Sequence, residues 1–376
     1  MYEPKIQTTE RLLKSLSEIE DVRELLRTIP VLPIVEESIQ RKALIETVYY
    51  TARIEGNPLD IQVAKRLRGR RASKPKADSE QELVNLYKVM DFLADIANHD
   101  DVPIGEEVIK QIHTFVVRDI PSQGAPGVYK LKPNAIIDQA SGERIFLPPS
   151  PTETPSLMRD LDAWLSQRPL IFHPIITAGI AHLELVAIHP FDNGNGRTAR
   201  ALADLVLYRY GYALRHLFSW VRQVGIDMGT YYKKLQQALG DKYGANADPT
   251  AWLEYFAESI AKSLAELKPD LLQIREFFIK AYNAGARSGL STDQVEALVF
   301  AEFYEGVTTA EYMQAVTLSR STVVKRLNEL VQLGLLKVEG KGRSVRYIRP
   351  SKVGIDDYQR KSEAAQLKLK LPEELN

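Results

Sequence analysis

The sequence predicts a mainly helical protein with one β-hairpin inside the helical core and a separate small α+β domain at the C-terminal end. Three observations carry that expectation. Apolar residues recur at spacings of three and four along most of the chain, as in Ile176, Ile180, Leu183 and Ala187. β-prone runs are short and few: 134–138 and 144–147 around Ala140, Ser141 and Gly142, then 335–339 and 345–349 around a Gly-Lys-Gly-Arg turn. At 376 residues the chain is too long for one ordinary core, and Gly285 and Gly289 mark a break before the last domain.

Composition narrows the chemistry. Lys+Arg and Asp+Glu both total 49, so any attraction for nucleic acid or membrane has to be local. Cysteine is absent, which excludes disulfides, thiolate metal sites and cysteine nucleophiles. The first residues, Met1 to Pro4, carry no apolar signal region, and no run is long enough to span a bilayer. The expectation is a cytoplasmic protein with no membrane partner.

Taken in order, residues 1–102 read as an N-terminal helical region. The pattern Ile39, Ala43, Leu44, Val48 leads to Thr51-Ala52-Arg53-Ile54-Glu55-Gly56-Asn57-Pro58, where Gly56 and Pro58 stop the helix. That leaves Glu55 near a helix C-terminus, the unfavourable end of the dipole for a carboxylate, where a cationic partner would suit it. A basic run over 65–76 follows and reads as a solvated surface segment, with Gly69 and Pro75 making its second half a loop. Leu83, Leu86, Val89, Met90 and Leu93 predict a helix over 80–97.

Residues 103–265 read as the core. Ile109, Ile112, His113 and Val116 predict a helix ending before Pro121. The hairpin at 134–147 comes next, then a helix through Leu157, Leu161 and Leu165. An exposed hairpin edge can accept an extended peptide by strand addition. Two buried helices meet at His189-Pro190-Phe191-Asp192-Asn193-Gly194-Asn195-Gly196-Arg197-Thr198-Ala199-Arg200. Proline and two glycines make this a loop, and Gly194-Asn195-Gly196 opens the second helix with backbone N–H groups free to cradle an anion, most commonly phosphate. Arg197 and Arg200 lie three apart on one face and can clamp further phosphate oxygens. His189 stands beside the cradle with a side chain able to take a proton near neutral pH. A base beside a polyphosphate cradle is an arrangement for phosphoryl or nucleotidyl transfer. His182 reads as a core histidine bonded to backbone, since no carboxylate or cysteine completes a zinc shell.

The segment 189–200 resembles the signature of the Fic family, His-x-Phe-x-Asp/Glu-Gly-Asn-Gly-Arg-x-x-Arg. It departs at Asn193, where the family has the acid that holds magnesium. Thr51-x-x-x-Glu55-Gly56 resembles the inhibitory motif of Fic proteins that carry their own inhibitor. The resemblance spans residues 30–260. It implies a Fic-like helical core in which Mg2+ and ATP serve transfer of AMP to a Ser, Thr or Tyr hydroxyl of a protein, the chain itself included. It assigns His189 as the base, and Gly194, Asn195, Gly196, Arg197 and Arg200 as phosphate ligands. It also places Tyr232 at the nucleobase, Asn193 at the metal and Glu55 on Arg200 as inhibitor. The hairpin, through Ile136, Ile137, Ile145 and Phe146, would be the flap that docks the target.

A helical linker over 266–289 leads to residues 290–352, where three helical patterns and a hairpin resemble a winged helix-turn-helix. Between 319 and 352 nine Lys/Arg stand against two Glu, the local field expected for duplex DNA. Arg320, Ser321, Thr322, Lys325, Arg326, Lys341, Arg343 and Arg346 are the candidate contacts. Residues 353–376 form a tail. Two readings remain open: an autoinhibited protein adenylyltransferase, or a DNA-binding regulator whose core senses nucleotide and transfers little. A homodimer is compatible with either.

Overall fold

The structure is a computed structural model that describes residues 4–29, 33–68, 75–137, 144–167, 171–244, 247–287, 289–303, 306–316, 318–342 and 345–350. The chain divides into two compact units, Met1–Arg23 with Gln40–Glu266, and Glu24–Ile39 with Leu267–Asn376. The sequence assigns 24–39 to a continuous N-terminal region; here that stretch groups with the second unit. Apolar spacing announces that a helix has a buried face, not what covers it. The expected tail lies outside the described residues.

The elements run α1 (Glu10–Thr28), α2 (Pro33–Ile54), α3 (Ile61–Leu67), α4 (Asp78–Ile96), α5 (Glu106–Val117), β1 (Ile136–Ile137), β2 (Arg144–Phe146), α6 (Thr154–Gln167), α7 (Pro174–Ile188), α8 (Asn195–Arg209), α9 (Trp220–Ile226), α10 (Met228–Leu239) and α11 (Thr250–Arg287). In the first unit α7 and α8 form the central pair, with α4, α5 and α6 against them. Ile180, Leu185, Ile188, Leu202, Leu205 and Val206 are all fully buried. Both helices are buried on nearly every side, α7 mostly through apolar residues and α8 with Arg197, Arg200 and Asp204 among its buried positions.

Local chemistry sets the ends of α7. Pro174 occupies its first turn, where the missing N–H costs nothing, and His173 Nδ1 accepts from Ile175 N. At the other end His189 takes up a left-handed conformation, φ 49° and ψ 56°, and turns the chain out of the helix. β1 and β2 pair antiparallel, Ile136 opposite Phe146 and Ile137 opposite Arg144, with an irregularity between the two pairs. The expected helical stretches at 251–256 and 260–285 are one helix, α11, with Pro269 inside it. Its buried positions run without a break through Phe256, Ile260, Leu264, Leu267, Leu271 and Ile274, so packing carries the helix past the hydrogen bond that the proline removes.

The second unit contains α12 (Thr292–Phe303), α13 (Thr309–Ala315), α14 (Arg320–Gln332), β3 (Lys337–Glu339) and β4 (Arg346–Ile348). A capping box, Thr308 with Glu311, starts α13, and Ser319 caps α14. Val323, Leu327 and Leu330 turn inward from α14 among buried Val295, Leu298, Phe300 and Tyr312. β3 and β4 pair antiparallel, and Val307 bridges to Tyr347 on β4. Among the described residues no helix is long and apolar enough to cross a membrane.

Close approach of α11 to α7 depends on Gly179. Trp252 Nε1 donates to its carbonyl at 2.7 Å, and a Cβ there would lie 2.7 Å from Leu253 Cδ2 and 3.1 Å from Phe256 Cδ1. Gly179→Ala should therefore lower stability by about 1–3 kcal/mol through overpacking, despite alanine's better helix propensity. A thermal melt of the variant beside the parent checks this; an unchanged or raised Tm contradicts the packing account.

Candidate active site

The loop between α7 and α8 is held by its own side chains before any ligand is considered. Asn195 Oδ1 accepts from Phe191 N at 2.9 Å, and Asn195 Nδ2 donates to Phe191 O at 2.8 Å, closing the loop on itself. Phe191 is fully buried and stacks on His113 of α5, ring centroids 3.7 Å apart and 5° from parallel. His113 Nδ1 accepts from Gly127 N, so its Nε2 carries the proton and donates to Asn193 O, both at 3.0 Å. Burial holds His113 down to about 4, which agrees with that neutral form. Gly194 begins α8 at φ 74°, and a Cβ there would lie 3.1 Å from Val116 and from Val117. Glycine is thus required twice over, for the turn and for the contact.

His189 sits at the mouth of this loop. Its Nδ1 lies 3.2 Å from Val186 O. Donation there leaves the Nε2 lone pair available as a base. Burial pulls its pKa down to about 4, the Lys130 cation adds to the lowering, and Val186 O and Glu55 oppose it. The imidazole is therefore neutral across the physiological range.

Arg197 and Arg200, near the start of α8, are buried and each faces a carboxylate. Arg200 Nη2 donates to Glu55 Oε1 at 2.8 Å and to Thr51 O at 3.1 Å. Arg197 Nη1 donates to Glu82 Oε1 on α4 at 2.6 Å, and its Nη2 to Asn193 Oδ1 at 3.0 Å. The two pairs differ in what can leave. Arg197 and Glu82 are 2% and 9% exposed, whereas Glu55 is 26% exposed over an Arg200 that is 1% exposed. Opening the first pair would strand a buried charge; opening the second moves one carboxylate toward water. Glu55 lies over the start of α8: any side chain at position 196 would run into its carboxylate. Burial pushes the Glu55 pKa up, but Arg200 and Arg197 together hold it below its ordinary value, so it is ionised there. A carboxylate thus occupies the place that the helix N-terminus and both guanidiniums make favourable for an anion. Arg197 and Arg200 each retain a buried Nε–H with no hydrogen-bond acceptor among the described residues.

Other expected residues fall as follows. Tyr232 donates from its hydroxyl to Ile54 O at 3.0 Å, holding the carbonyl next to Glu55. Asn193 is exposed, but its Oδ1 accepts from both Gly194 N and Arg197. Phe146 points inward, 4% exposed, while Ile136 and Ile145 are half-buried and the side chain of Ile137 lies outside the described residues. Leu147, next to β2, gives its N–H to Asp241 O and takes Tyr243 N on its carbonyl, so β2 is already paired beyond β1. His182 bonds to Tyr231 Oη at 3.2 Å and stacks on Trp252, so its partner is a side chain and not the expected backbone. In the second unit Arg326, Lys337, Arg346 and Arg349 face Glu329, Glu339, Glu311 and Glu302. Two of those acids, Glu302 and Glu311, precede the basic stretch in sequence, so a charge count along the stretch overstates the field. Arg320 and Lys325 are exposed, Ser321 and Thr322 bond to Ser319, Lys341 is exposed, and Arg343 lies outside the described residues.

Residues that sequence reasoning passed over include His113, Glu82, Asn57, Lys130 and Asn134. Asn57 Nδ2 donates to Glu82 Oε2 at 2.7 Å, joining the end of the Glu55 segment to the partner of Arg197. A histidine or glutamate among the apolar residues of a predicted helix was the available signal, and alone it points to no site.

Residues 103–207 match the Fic/DOC family. This span holds the α7–α8 loop and His113, while Glu55 and Glu82 precede it. The chain is similar to protein adenylyltransferase Fic of Aedes aegypti, 29% identical over 204 residues, 53% of this chain and 39% of that protein. A protein of the same name from Nematostella vectensis is 27% identical over 56% of this chain and 47% of its own length. The chain thus spans less than half the length of the curated relatives it matches. A crystal structure of a Fic family protein from Desulfovibrio desulfuricans shares the fold at a TM-score of 0.59 and 22% identity, over 94% of this chain and 100% of that one.

Buried neutral histidines link stability of this core to pH. His113 and His182 are 1% and 0% exposed, and burial depresses both, His113 to about 4 and His182 well below its ordinary value. Between their folded values and the ordinary 6.5 the unfolded chain binds more protons than the folded one, so stability rises with pH in that window. Tm should accordingly drop as pH falls from about 6.5 toward 4. His113→Gln, which keeps a polar side chain but cannot titrate, should flatten part of that slope. A slope identical in the variant would contradict the assignment.

Proposed function

We propose that the chain is a Fic-type protein adenylyltransferase held in check by Glu55. The Glu55 carboxylate, clamped on Arg200 across the start of α8, is the observation that carries the reading. A site built for polyphosphate needs a counter-anion when empty, and Glu55 is the partner able to move away. Similarity to relatives named as protein adenylyltransferases supports the activity.

With Glu55 displaced, ATP would set its phosphates against the amides of Asn195 and Gly196, the expected Gly194 amide being already bonded to Asn193 Oδ1, with Arg200 taking the terminal phosphate. His189 Nε2 takes the proton of a Ser, Thr or Tyr hydroxyl as its oxygen attacks the α-phosphorus. The new O–P bond forms as the bond to pyrophosphate breaks, with AMP left on the protein and the proton on His189. A positioned base typically contributes about 10²–10⁴-fold. Arg197, held by Glu82 and Asn193, offsets the charge that grows on the leaving pyrophosphate. The expected magnesium does not suit Asn193 as it stands: both lone-pair directions of its Oδ1 receive hydrogen bonds, one from a guanidinium. Asn193 therefore serves to orient Arg197, and no step here runs through a metal. A target peptide would pair along β1, because Leu147, just after β2, is already bonded to Asp241 and Tyr243.

Incubation with ATP and magnesium followed by mass spectrometry tests this. Glu55→Gly should raise the gain of one AMP on the chain or on an added protein. His189→Ala in that background should remove transfer by at least about a hundredfold while ATP binding persists. Equal transfer with and without Glu55 ends the inhibitory reading.

For the second unit we propose a winged helix-turn-helix that docks on duplex DNA. Exposed Arg320 and Lys325 on α14 favour it. With four neighbouring cations already paired, few phosphate contacts remain. The full chain should bind duplex DNA with a shallow salt dependence, a log–log slope of about −0.9 per contact, and Lys325→Ala should reduce that slope by about one contact. No binding at low salt in an anisotropy titration would make the domain a protein-docking module.

A further inference from the structure

The segment that leads into the hairpin is wired to the loop that carries His189. Lys130 N donates to Pro190 O at 2.8 Å. Lys130 Nζ donates to Ile188 O at 3.2 Å and to Asn134 Oδ1 at 2.9 Å. Asn134 Nδ2 in turn donates to His189 O at 3.3 Å and to Phe191 O at 3.1 Å. Four successive carbonyls, 188 to 191, are thus taken by one lysine and one asparagine four residues apart. The turn they grip is one that needs gripping. His189 holds φ 49° with a full side chain, a strained conformation that persists only where the surroundings impose it.

Lysine is an expensive choice for this task. Lys130 is 1% exposed, and both side-chain acceptors above are neutral. Burial pulls its pKa down to about 8, while the carboxylates of Asp192 and Glu153 favour its charged form. Its ammonium lies on the last carbonyl of α7, where a cation complements the helix dipole. That bland role, a cap for α7, would also be met by arginine and partly by glutamine. What a cap does not explain is a buried charge held on the carbonyl of the residue before His189.

We propose that Lys130 and Asn134 are positioning residues for His189, fixing its backbone turn and tying it to β1, and that the Lys130 charge adds to burial in keeping the imidazole unprotonated. The inference rests on His189 being the base. The groups that face the imidazole are Lys130 and Val186 O, with Glu55 acting in the opposite sense. Removing the lysine charge therefore lets His189 bind its proton at higher pH. Since Lys130 and Asn134 stand two to six residues before β1, a peptide strand added to β1 would pull on the same segment that orients the base.

Lys130→Met, Lys130→Arg and Asn134→Ala test the clamp, each made in the full chain with Glu55→Gly. Lys130→Met and Asn134→Ala should lower kcat for self-modification by about tenfold to a hundredfold, with KM for ATP within about twofold of the parent. Lys130→Met alone should shift the acidic limb of the rate profile to higher pH; Asn134→Ala, which removes no charge, should leave that limb in place, and Lys130→Arg should restore it. NMR titration of the His189 ring, assigned with His189→Gln, reads the same shift without any turnover. An unmoved His189 titration in folded Lys130→Met overturns the electrostatic part, and parent-like kcat in both variants overturns the clamp. Loss of ATP binding along with kcat would also overturn it, by making the residues part of the nucleotide site. Failure of the Glu55→Gly parent itself to transfer AMP would instead strike the proposed function, and the NMR arm would still decide the inference.

Discussion

Positive charge concentrated at one helix end is the constraint from which the rest of the site follows. The first turn of α8 brings unpaired backbone N–H groups together with two guanidiniums that are 2% and 1% exposed. Buried cations at this density are stable only opposite anions. The protein answers with Glu82 from α4 and Glu55 from α2. Helices far apart in sequence are thereby drawn to one point, and Asn57, bonded to Glu82, links the two answers. The difference in exposure between the carboxylates then separates a permanent brace from a removable one.

A second constraint concerns the histidine. A general base must be neutral when the substrate arrives, and at ordinary basicity a histidine next to a carboxylate would be partly protonated near neutral pH. Burial and the neighbouring Lys130 cation shift His189 the other way. The same burial leaves the core with further histidines, His113 and His182, that resist protonation. A neutral His189 and a loss of acid stability are thus two consequences of one dry interior.

The relation between the hairpin and His189 is the least expected aspect of the fold. The hairpin is small, two residues against three, and could have been an appendage. Its root instead supplies the donors for the carbonyls of the His189 turn. Main-chain acceptors at a helix end have to be satisfied by something. Here the segment that satisfies them also leads into β1, so the geometry of the His189 turn depends on the root of the hairpin.

Much of this was legible in the sequence, for a definite reason. Helix periods, the short β runs and the glycine-rich turn are local properties, and α4 through α8 lie close to where spacing puts them. The cradle, both arginines and His189 sit within twelve consecutive residues, so their chemistry could be read off together. Glu55 was legible as a carboxylate at the wrong end of a helix, in want of a cation. What the sequence could not provide was partnership across distance. Glu82 on Arg197, His113 on Asn193 and Lys130 on Ile188 join residues 58 to 115 positions apart, and each looks ordinary in its own helix or loop. The basic stretch of the second unit misleads for the same reason, since acids from α12 and α13 face it in space but not in sequence. Residue type and spacing decided which groups could act. Only tertiary packing decided which charge meets which, because a Coulomb partner is chosen by distance through space and by the water that burial removes.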